Sequence, residues 1–312
     1  MSYLKHPRLF TALLSTLVLG ILSGPSHADT RTITTAFGDV EVDGRPETVV
    51  TLYEGALDSA IAVGAQPVGA VITRGGQNVA NYIQEAAGDI EIVGTPGETN
   101  LEAVIALQPD IILASAWTSE EQYRLLSRIA PTIVLDVPAY QDDTWKRELT
   151  LFARALGREN RAADVIARVE QRAAEVRAQV EAATDGGQRD TALVRWMPQG
   201  PLVMAEGLFS ATVLASAGFE VDDADLVKEG RPHSQPLSQE NLSLMDHSWI
   251  FLATLNEDGR EALAVAREAP AFQRLEANDT DQIVPVDGTL WTSASGPLAA
   301  LAILDDIEAA LK

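Results

Sequence analysis

Short apolar runs alternate with longer amphipathic segments along most of this chain. The runs at residues 110–114, 132–135 and 249–253 are predominantly apolar, which is typical of strands in a parallel sheet whose two faces are both covered by helices. The segments between such runs carry apolar residues at helical spacing. We therefore predict an α/β fold with mainly parallel sheets. The alternation occurs before residue 158 and again after residue 184, which predicts two lobes of similar construction.

One long segment, Glu159–Ala183, lies between the predicted lobes and contains neither Gly nor Pro. It consists mostly of strong helix formers, so we predict a single helix of roughly 37 Å. A surface helix or a short coiled coil has the same pattern, but the position between similar halves favours a rigid bridge. The predicted boundaries are residues 29–158 for the first lobe, 159–183 for the bridging helix and 184–312 for the second lobe. Apolar residues form one narrow stripe on this helix, at Ala162, Ile166, Val169, Ala173, Val176 and Val180.

Residues 1–28 have the composition of a secretory signal peptide. Lys5 and Arg8 precede an apolar run over residues 9–22, and small residues up to Ala28 fit a cleavage site. A membrane anchor is the alternative, but the run is short for a bilayer span. The chain has no cysteine, so it has neither disulfides nor a lipid-attachment cysteine. We expect a soluble periplasmic protein after cleavage near Ala28.

The chain is strongly acidic, with a formal net charge of -22 at pH 7. Nucleic acid and anionic membrane surfaces are therefore poor partners, because both would repel it. A saline habitat would favour the same acidity, so the charge by itself does not indicate a function.

Two segments, one in each predicted lobe, open a helix with a glutamate and continue into an apolar strand. Glu102 follows Asn100, and Glu240 follows Ser238, so each acid falls in a first turn, two residues after a residue that commonly caps helices. The helix dipole stabilises acids at such positions, which is a purely structural reason for the pattern. Its repetition in both lobes indicates a shared function.

Several stretches of the chain resemble, in order and spacing, the periplasmic binding proteins of ferric-siderophore and vitamin B12 ABC importers. The stretch TNLEAVIALQPDIILAS at residues 99–115 is the most specific part, and residues 43–52, 236–245 and 291–307 fit at corresponding places. The resemblance covers essentially the whole mature chain. It implies two α/β lobes bridged by one long helix and a cleft that closes little on its ligand. It also implies a receptor that delivers a ferric siderophore to an ABC permease dimer in the inner membrane. We expect the receptor itself to be a monomer.

The resemblance assigns a partner to the repeated glutamates. In the family, one glutamate on each lobe docks with arginines of the permease dimer, and Glu102 and Glu240 occupy the matching positions. Two carboxylates on separate rigid lobes would form a two-point electrostatic contact. The long helix would then fix the distance between them.

The ligand is expected between the lobes, where loops leave the carboxyl ends of the strands. Aromatic side chains there would supply stiff contact area, and arginines would hold carboxylate or hydroxamate oxygens. Trp196 alternates with Arg195 along one strand, so one of the two faces the core. Trp291 matches an aromatic cluster of the family but is also compatible with a core position, and Arg74 and His233 are also compatible with ordinary surface roles. The candidate ligand-binding residues are Tyr53, Glu54, Arg74, Trp117, Tyr140, Arg195, Trp196, His233 and Trp291.

The chain departs from the family at residues 94–98, which read Gly-Thr-Pro-Gly-Glu. Several relatives that bind anionic ferric complexes carry an arginine at this place. The departure favours a hydroxamate or mixed citrate-hydroxamate chelate over strongly anionic ferric citrate. The siderophore would hold the iron, with no protein cofactor, because the chain has no cysteine and its few histidines are scattered.

Vitamin B12 and haem are alternative ligands for the same fold. An axial haem ligand would have to come from a residue such as Tyr53, Tyr140 or His233. An exported enzyme is the alternative from a different class, but the chain contains no G-x-S-x-G, P-loop or H-E-x-x-H motif and no cysteine nucleophile. We therefore predict a binding protein and not an enzyme.

Overall fold

The first half of the chain is organised around one parallel sheet. The computed structural model describes residues 1–2, 30–136, 143–184 and 187–312. The strands of the first half are β1 (Arg31–Thr35), β2 (Gly38–Val42), β3 (Val49–Thr51), β4 (Gly69–Ala70), β5 (Glu91–Ile92), β6 (Gly94–Thr95), β7 (Glu98–Thr99), β8 (Ile111–Ala114) and β9 (Thr132–Val134). The sheet has the order β5-β4-β3-β8-β9, and all its neighbouring strands are parallel. Every residue of β3, β8 and β9 is buried, as expected for strands covered on both faces.

Helices cover this sheet, and two antiparallel hairpins, β1–β2 and β6–β7, accompany it. Two helices begin at the polar caps that their sequences offer, because Asn100 accepts a hydrogen bond from the backbone N–H of Ala103 and Ser119 accepts one from that of Gln122. The helices up to the middle of the chain are α1 (Glu54–Ala62), α2 (Asn81–Ala87), α3 (Leu101–Ala106), α4 (Glu120–Leu126), α5 (Thr144–Ala155) and α6 (Glu159–Ala183).

The second half is built around a mixed sheet in which parallel pairs predominate. Its strands are β10 (Asp190–Met197), β11 (Gly200–Val203), β12 (Glu220–Val221), β13 (Trp249–Thr254) and β14 (Ile283–Asp287). They lie in the order β11-β10-β13-β14, and β12 also pairs with β10. Only β10 and β11 are antiparallel, in a hairpin. The helices are α7 (Phe209–Ser216), a 3-10 helix (Gln239–Met245), α8 (Glu257–Arg267), α9 (Pro270–Gln273), α10 (Glu276–Asp279), α11 (Gly288–Ser293) and α12 (Pro297–Ala310).

The predicted bridging helix is confirmed, because α6 begins at Glu159 and ends at Ala183. Five residues of the predicted stripe are buried, whereas Ile166 is half-buried and Val165 is buried beside it. The stripe packs against α12 and α5. It is therefore covered by helices of the same chain, and a dimer seam is not needed to bury it.

The last helix, α12, is a second connection between the lobes. It packs on α1 and α2 of the first half as well as on α7 and α11 of the second. One apolar core runs without interruption from Ile111 in the first sheet, through Val169 of α6 and Ile303 of α12, to Phe251 in the second sheet. The lobes thus share a packed base, and the lobe boundaries given above remain a prediction.

No helix within the described residues combines the length and apolar character needed to cross a membrane. The predicted signal peptide falls almost wholly on residues 3–29, outside the described residues.

Candidate ligand-binding site

A cavity of about 530 Å³ lies between the two lobes. On one side its wall is formed by loops that follow β3, β4 and β8 in the first sheet. On the other side it is formed by the end of β10 and by the segments that follow β11 and β14. Because parallel strands place their carboxyl ends at one edge of a sheet, both lobes present this edge to the same space.

Seven of the nine candidate residues line this cavity, namely Tyr53, Glu54, Arg74, Trp117, Arg195, His233 and Trp291. Their role as ligand contacts remains a prediction. Tyr140 lies outside the described residues.

The prediction for Trp196 is wrong. Its side chain is buried and packs edge-on against Phe272 at a ring-centroid distance of 5.8 Å, in a core cluster on the other face of the second sheet. Successive residues of a strand point to opposite faces of the sheet. Since Trp196 faces this core, its neighbour Arg195 faces the cavity.

Arg74 and Arg195 bring positive charge to the cavity from opposite lobes. Arg74 is exposed, whereas Arg195 is only 8 % exposed and its Nε is buried without a hydrogen-bond partner among the described residues. Burial, and then the charge of Arg74, lower the pKa of Arg195. Neither guanidinium has a carboxylate within ion-pair distance in the described part of the chain. The free cavity therefore holds two cations that an anionic ligand would neutralise.

Two carboxyl groups, those of Glu54 and Glu148, also line the cavity. Burial raises the pKa of each to about 7, even though Glu54 accepts hydrogen bonds from the Thr73 hydroxyl and from the backbone N–H of Arg74. The Tyr53 hydroxyl lies close enough to Glu148 for each to perturb the other's pKa. Because both acids hold their protons for much of the time at neutral pH, the wall of the cavity is more positive than its composition suggests.

The aromatic residues of the wall differ in what they offer a ligand. Trp117 is 71 % exposed and stands at the cavity, whereas Trp291 is fully buried. The Trp291 indole stacks on Phe251 at 5.0 Å and donates a hydrogen bond of 2.8 Å to Asp306. Trp291 thus packs beneath the cavity wall and supports it. Because its ring is not exposed, it is poorly placed for the direct ligand contact that the sequence predicted. His233 is half-buried, and its Nδ1 lies 2.8 Å from the Ser234 carbonyl oxygen.

Glu148 and Trp145 line the cavity but are not among the residues predicted from the sequence, because they lie on α5 and do not follow a strand. The pattern of apolar residues along α5 nevertheless contained a signal for Glu148. Trp145, Leu149 and Phe152 lie on the buried face of α5, and Glu148 shares that face. A carboxyl group on the apolar face of a helix indicates either a buried partner or a site.

Comparison with known proteins identifies the family. The sequence profile described as "Periplasmic binding protein" matches residues 49–289. The chain belongs to this family. This periplasmic binding protein is 27% identical over 322 residues to a probable siderophore-binding lipoprotein of Bacillus subtilis (strain 168), with 97% of each chain covered. It is 28% identical over 265 residues to the achromobactin-binding periplasmic protein of Dickeya dadantii (strain 3937), covering 84% of this chain and 85% of that protein.

A solved structure shows the same architecture. The crystal structure of Staphylococcus aureus SirA complexed with staphyloferrin B has a TM-score of 0.79 and 28% identity to this periplasmic binding protein, and the match covers 90% of this chain and 98% of that chain. The predicted fold of two α/β lobes joined by a long helix is thereby confirmed. The matched family and relatives are binding proteins, which agrees with the prediction that this chain is not an enzyme.

The two repeated glutamates of this periplasmic binding protein are both exposed. Glu102 lies in the first turn of α3, shortly after the β6–β7 hairpin that contributes Pro96, Gly97 and Thr99 to the cavity wall. Glu240 lies in the first turn of the 3-10 helix, after the loop that contributes His233. Each glutamate therefore follows a segment that forms the cavity rim in its own lobe.

The local settings of the two glutamates differ from the expected matched pair of capped α-helices. Asn100 caps α3, but the Ser238 side chain makes no capping hydrogen bond, and the second segment is a 3-10 helix. One exposed aliphatic residue follows each glutamate about a turn later, Ile105 at 55 % and Leu244 at 45 % exposure. The shared feature is thus an exposed acid beside an exposed aliphatic side chain in each lobe.

In the described part of the chain, no cluster of three or more His, Asp or Glu side chains has the arrangement needed to hold a metal ion. The cavity instead offers guanidinium, carboxyl, hydroxyl and aromatic groups. Such groups recognise the outer atoms of a ligand, and they suit a chelate that brings its own metal ligands.

Proposed function

We propose that this protein captures a ferric siderophore in the cavity between its lobes and delivers it to the permease of an ABC importer. The observation that carries the proposal is the placement of Arg74 and Arg195 from opposite lobes on one cavity, in a chain whose net charge is -22. Arg195 is a buried cation with no carboxylate within ion-pair distance in the described residues, and an anionic ligand would remove the energetic cost of burying it. The relatives support this assignment, because they include a probable siderophore-binding lipoprotein, an achromobactin-binding protein and a protein with bound staphyloferrin B.

The charge of the cavity favours a ferric chelate that carries carboxylate groups. A guanidinium donates two parallel hydrogen bonds to a carboxylate, and these charge-assisted bonds are stronger than neutral ones. Among the chelates expected from the sequence, the mixed citrate-hydroxamate class meets this requirement. A chelate with hydroxamates alone would leave Arg74 and Arg195 without anionic partners. Several relatives carry an arginine at the place of residues 94–98, where this chain has none. We propose that Arg74 and Arg195 provide the positive charge for the ligand instead.

The second part of the proposal is that Glu102 and Glu240 dock on the permease dimer. Both side chains are exposed and neither lines the cavity, so a membrane partner is able to contact them while a ligand is bound. The adjacent aliphatic side chains of Ile105 and Leu244 add apolar area at both points.

Export and oligomeric state complete the proposal. Residues 1–28 would direct the chain to the periplasm and be removed near Ala28. The protein would act as a monomer, which is supported by the burial of the α6 stripe against α12 and α5.

Titration of intrinsic tryptophan fluorescence tests the proposal, because Trp117 and Trp145 line the cavity. The panel comprises ferric citrate, a mixed ferric citrate-hydroxamate, a ferric trihydroxamate, a ferric catecholate, cobalamin and haem. We expect the carboxylate-bearing chelates to bind, and the Arg74→Ala/Arg195→Ala variant to bind them on the order of 100-fold more weakly. Arg274→Ala is the matched control, because Arg274 is exposed and lies outside the cavity wall. Binding of cobalamin or haem alone, or equal affinity in the double variant, would contradict the proposal.

A further inference from the structure

The helix α12 begins without a cap of its own. Its N-cap residue is Gly296, which has no side chain, and its first residue is Pro297, which has no backbone N–H. The first backbone donors that need a partner are therefore those of Leu298 and Ala299.

Asp58 of α1, in the other lobe, supplies the missing cap. The backbone N–H of Leu298 donates to its Oδ1 at 2.9 Å, and that of Ala299 donates to its Oδ2 at 2.8 Å. The Tyr82 hydroxyl of α2 donates a third hydrogen bond at 3.0 Å. Asp58 is completely buried, and no basic side chain in the described residues lies within ion-pair distance of it. Its acceptors are thus committed to two helices, α12 and α2.

The glycine at the start of α12 is required by this contact. Gly296 has φ +114°, and a Cβ at this position would lie 2.6 Å from the Cγ of Asp58. A second glycine lies close to the same junction, because a Cβ on Gly55 of α1 would collide with the Ser295 hydroxyl and with the Tyr53 ring. A side chain at Gly296 would therefore displace Asp58 from the start of α12.

This junction adjoins both walls of the cavity. Tyr53 and Glu54, at the start of α1, belong to the wall from the first lobe, and Ser295, immediately before Gly296, belongs to the wall from the second. A rotation of α12 against α1 would therefore move the two walls relative to each other.

We propose that Asp58 is a positioning residue, which pins the start of α12 to α1 and thereby fixes the angle between the lobes in the ligand-free protein. The effect of Asp58 on ligand affinity rests on the proposed function, because the lobe angle sets the separation of Arg74 and Arg195. The effect of Asp58 on the lobe angle is independent of the proposed function, because its contacts involve no ligand.

Distance measurement between spin labels on the two lobes tests this proposal. The chain has no cysteine, so Glu121→Cys on α4 and Glu261→Cys on α8, both at exposed positions, would be labelled specifically. Pulsed electron–electron double resonance on the ligand-free protein should give one narrow distribution of distances between the two labels. With Asp58→Ala we expect a broader distribution with a shifted mean, because the first turn of α12 loses its link to α1.

Asp110→Ala is the matched control. Asp110 also accepts hydrogen bonds from two consecutive backbone N–H groups, those of Glu47 and Thr48 at 2.9 and 2.8 Å, but all three residues lie in the first lobe. This variant should leave the distance distribution unchanged, whatever its effect on the melting temperature.

Asp58→Asn tests the same role of Asp58 if the alanine variant does not fold. The amide keeps the shape of the side chain and one acceptor oxygen, so one of the two links to α12 is retained and an intermediate width is expected. A wild-type distribution in either folded variant, or equal broadening in Asp110→Ala, would overturn the proposal. If the distribution broadens but the protein binds no siderophore, the proposed function fails while the role of Asp58 stands.

Discussion

Replacing Arg195 by methionine should make the ligand-free protein more stable and the complex weaker. Arg195 is 8 % exposed, its Nε has no hydrogen-bond partner among the described residues, and Arg74 adds a repulsive charge. Methionine keeps a long, unbranched side chain but removes the buried cation. The same substitution removes a charged donor from the cavity wall.

The two effects have opposite signs, and their sizes follow from general magnitudes. A buried polar group without a partner costs about 1–3 kcal/mol, so the free energy of unfolding should rise by roughly 1–2 kcal/mol. At roughly 2–4 °C per kcal/mol for domains of 150–250 residues, the melting temperature should rise by several degrees. Loss of a hydrogen bond from a charged donor costs about 1.5–3 kcal/mol, which weakens binding by roughly 10–150-fold.

Differential scanning fluorimetry of the ligand-free protein and isothermal titration with a carboxylate-bearing ferric siderophore measure both quantities. Arg195→Lys keeps the charge and should stay close to wild type in stability, with an intermediate affinity. Arg274→Met, at an exposed position, is the control for the substitution itself. A lower melting temperature together with unchanged affinity in Arg195→Met would contradict this prediction, because Arg195 would then stabilise the fold and make no contribution to ligand binding.

Three further predictions concern the acid in the wall, the docking glutamates and the exposed tryptophan. Burial raises the pKa of Glu148 from 4.5 to about 7, so the folded state binds a proton that the unfolded state releases, and stability should fall as pH rises from 4.5 to 7. The loss is on the order of 3 kcal/mol above pH 7. Thermal unfolding of Glu148→Gln should show a smaller decrease over that range, and an unchanged decrease would contradict the assignment. Glu102→Arg/Glu240→Arg should abolish siderophore uptake in cells while titration shows unaltered affinity, and normal uptake would rule out docking through these residues. Trp117→Phe should reduce the ligand-induced quenching of fluorescence more than Trp249→Phe does, and the reverse order would place the ligand away from Trp117.

The long helix and the alternating architecture could be predicted because each rests on a strong local signal. Glu159–Ala183 has helix formers throughout and no breaker, and its limits in the structure agree with the prediction. The short helices α2 (Asn81–Ala87) and α11 (Gly288–Ser293) were not predicted. Segments of this length are not stable alone, so their helical state comes from packing against the rest of the molecule, which a local pattern does not report.

The candidate site was predictable where loops follow strands and was missed where it depends on packing. Arg74 and Arg195 follow or end strands, and both line the cavity. The alternation along β10 requires Arg195 and Trp196 to face opposite ways, but it does not say which of them faces the core. Glu148 and Asp58 are acids on buried helix faces. The partners that explain Asp58 lie on a helix 240 residues away in sequence, so no local pattern could have identified them.

A crystal structure of the protein with a bound ferric siderophore, with the iron located by its anomalous scattering, would show directly whether the cavity between the lobes is the siderophore site. We expect a single iron peak in the cavity between the lobes, with every iron ligand supplied by the siderophore and with siderophore oxygens hydrogen-bonded to the guanidinium groups of Arg74 and Arg195. An iron peak outside this cavity, or iron bound directly to a side chain such as Glu54, would contradict it.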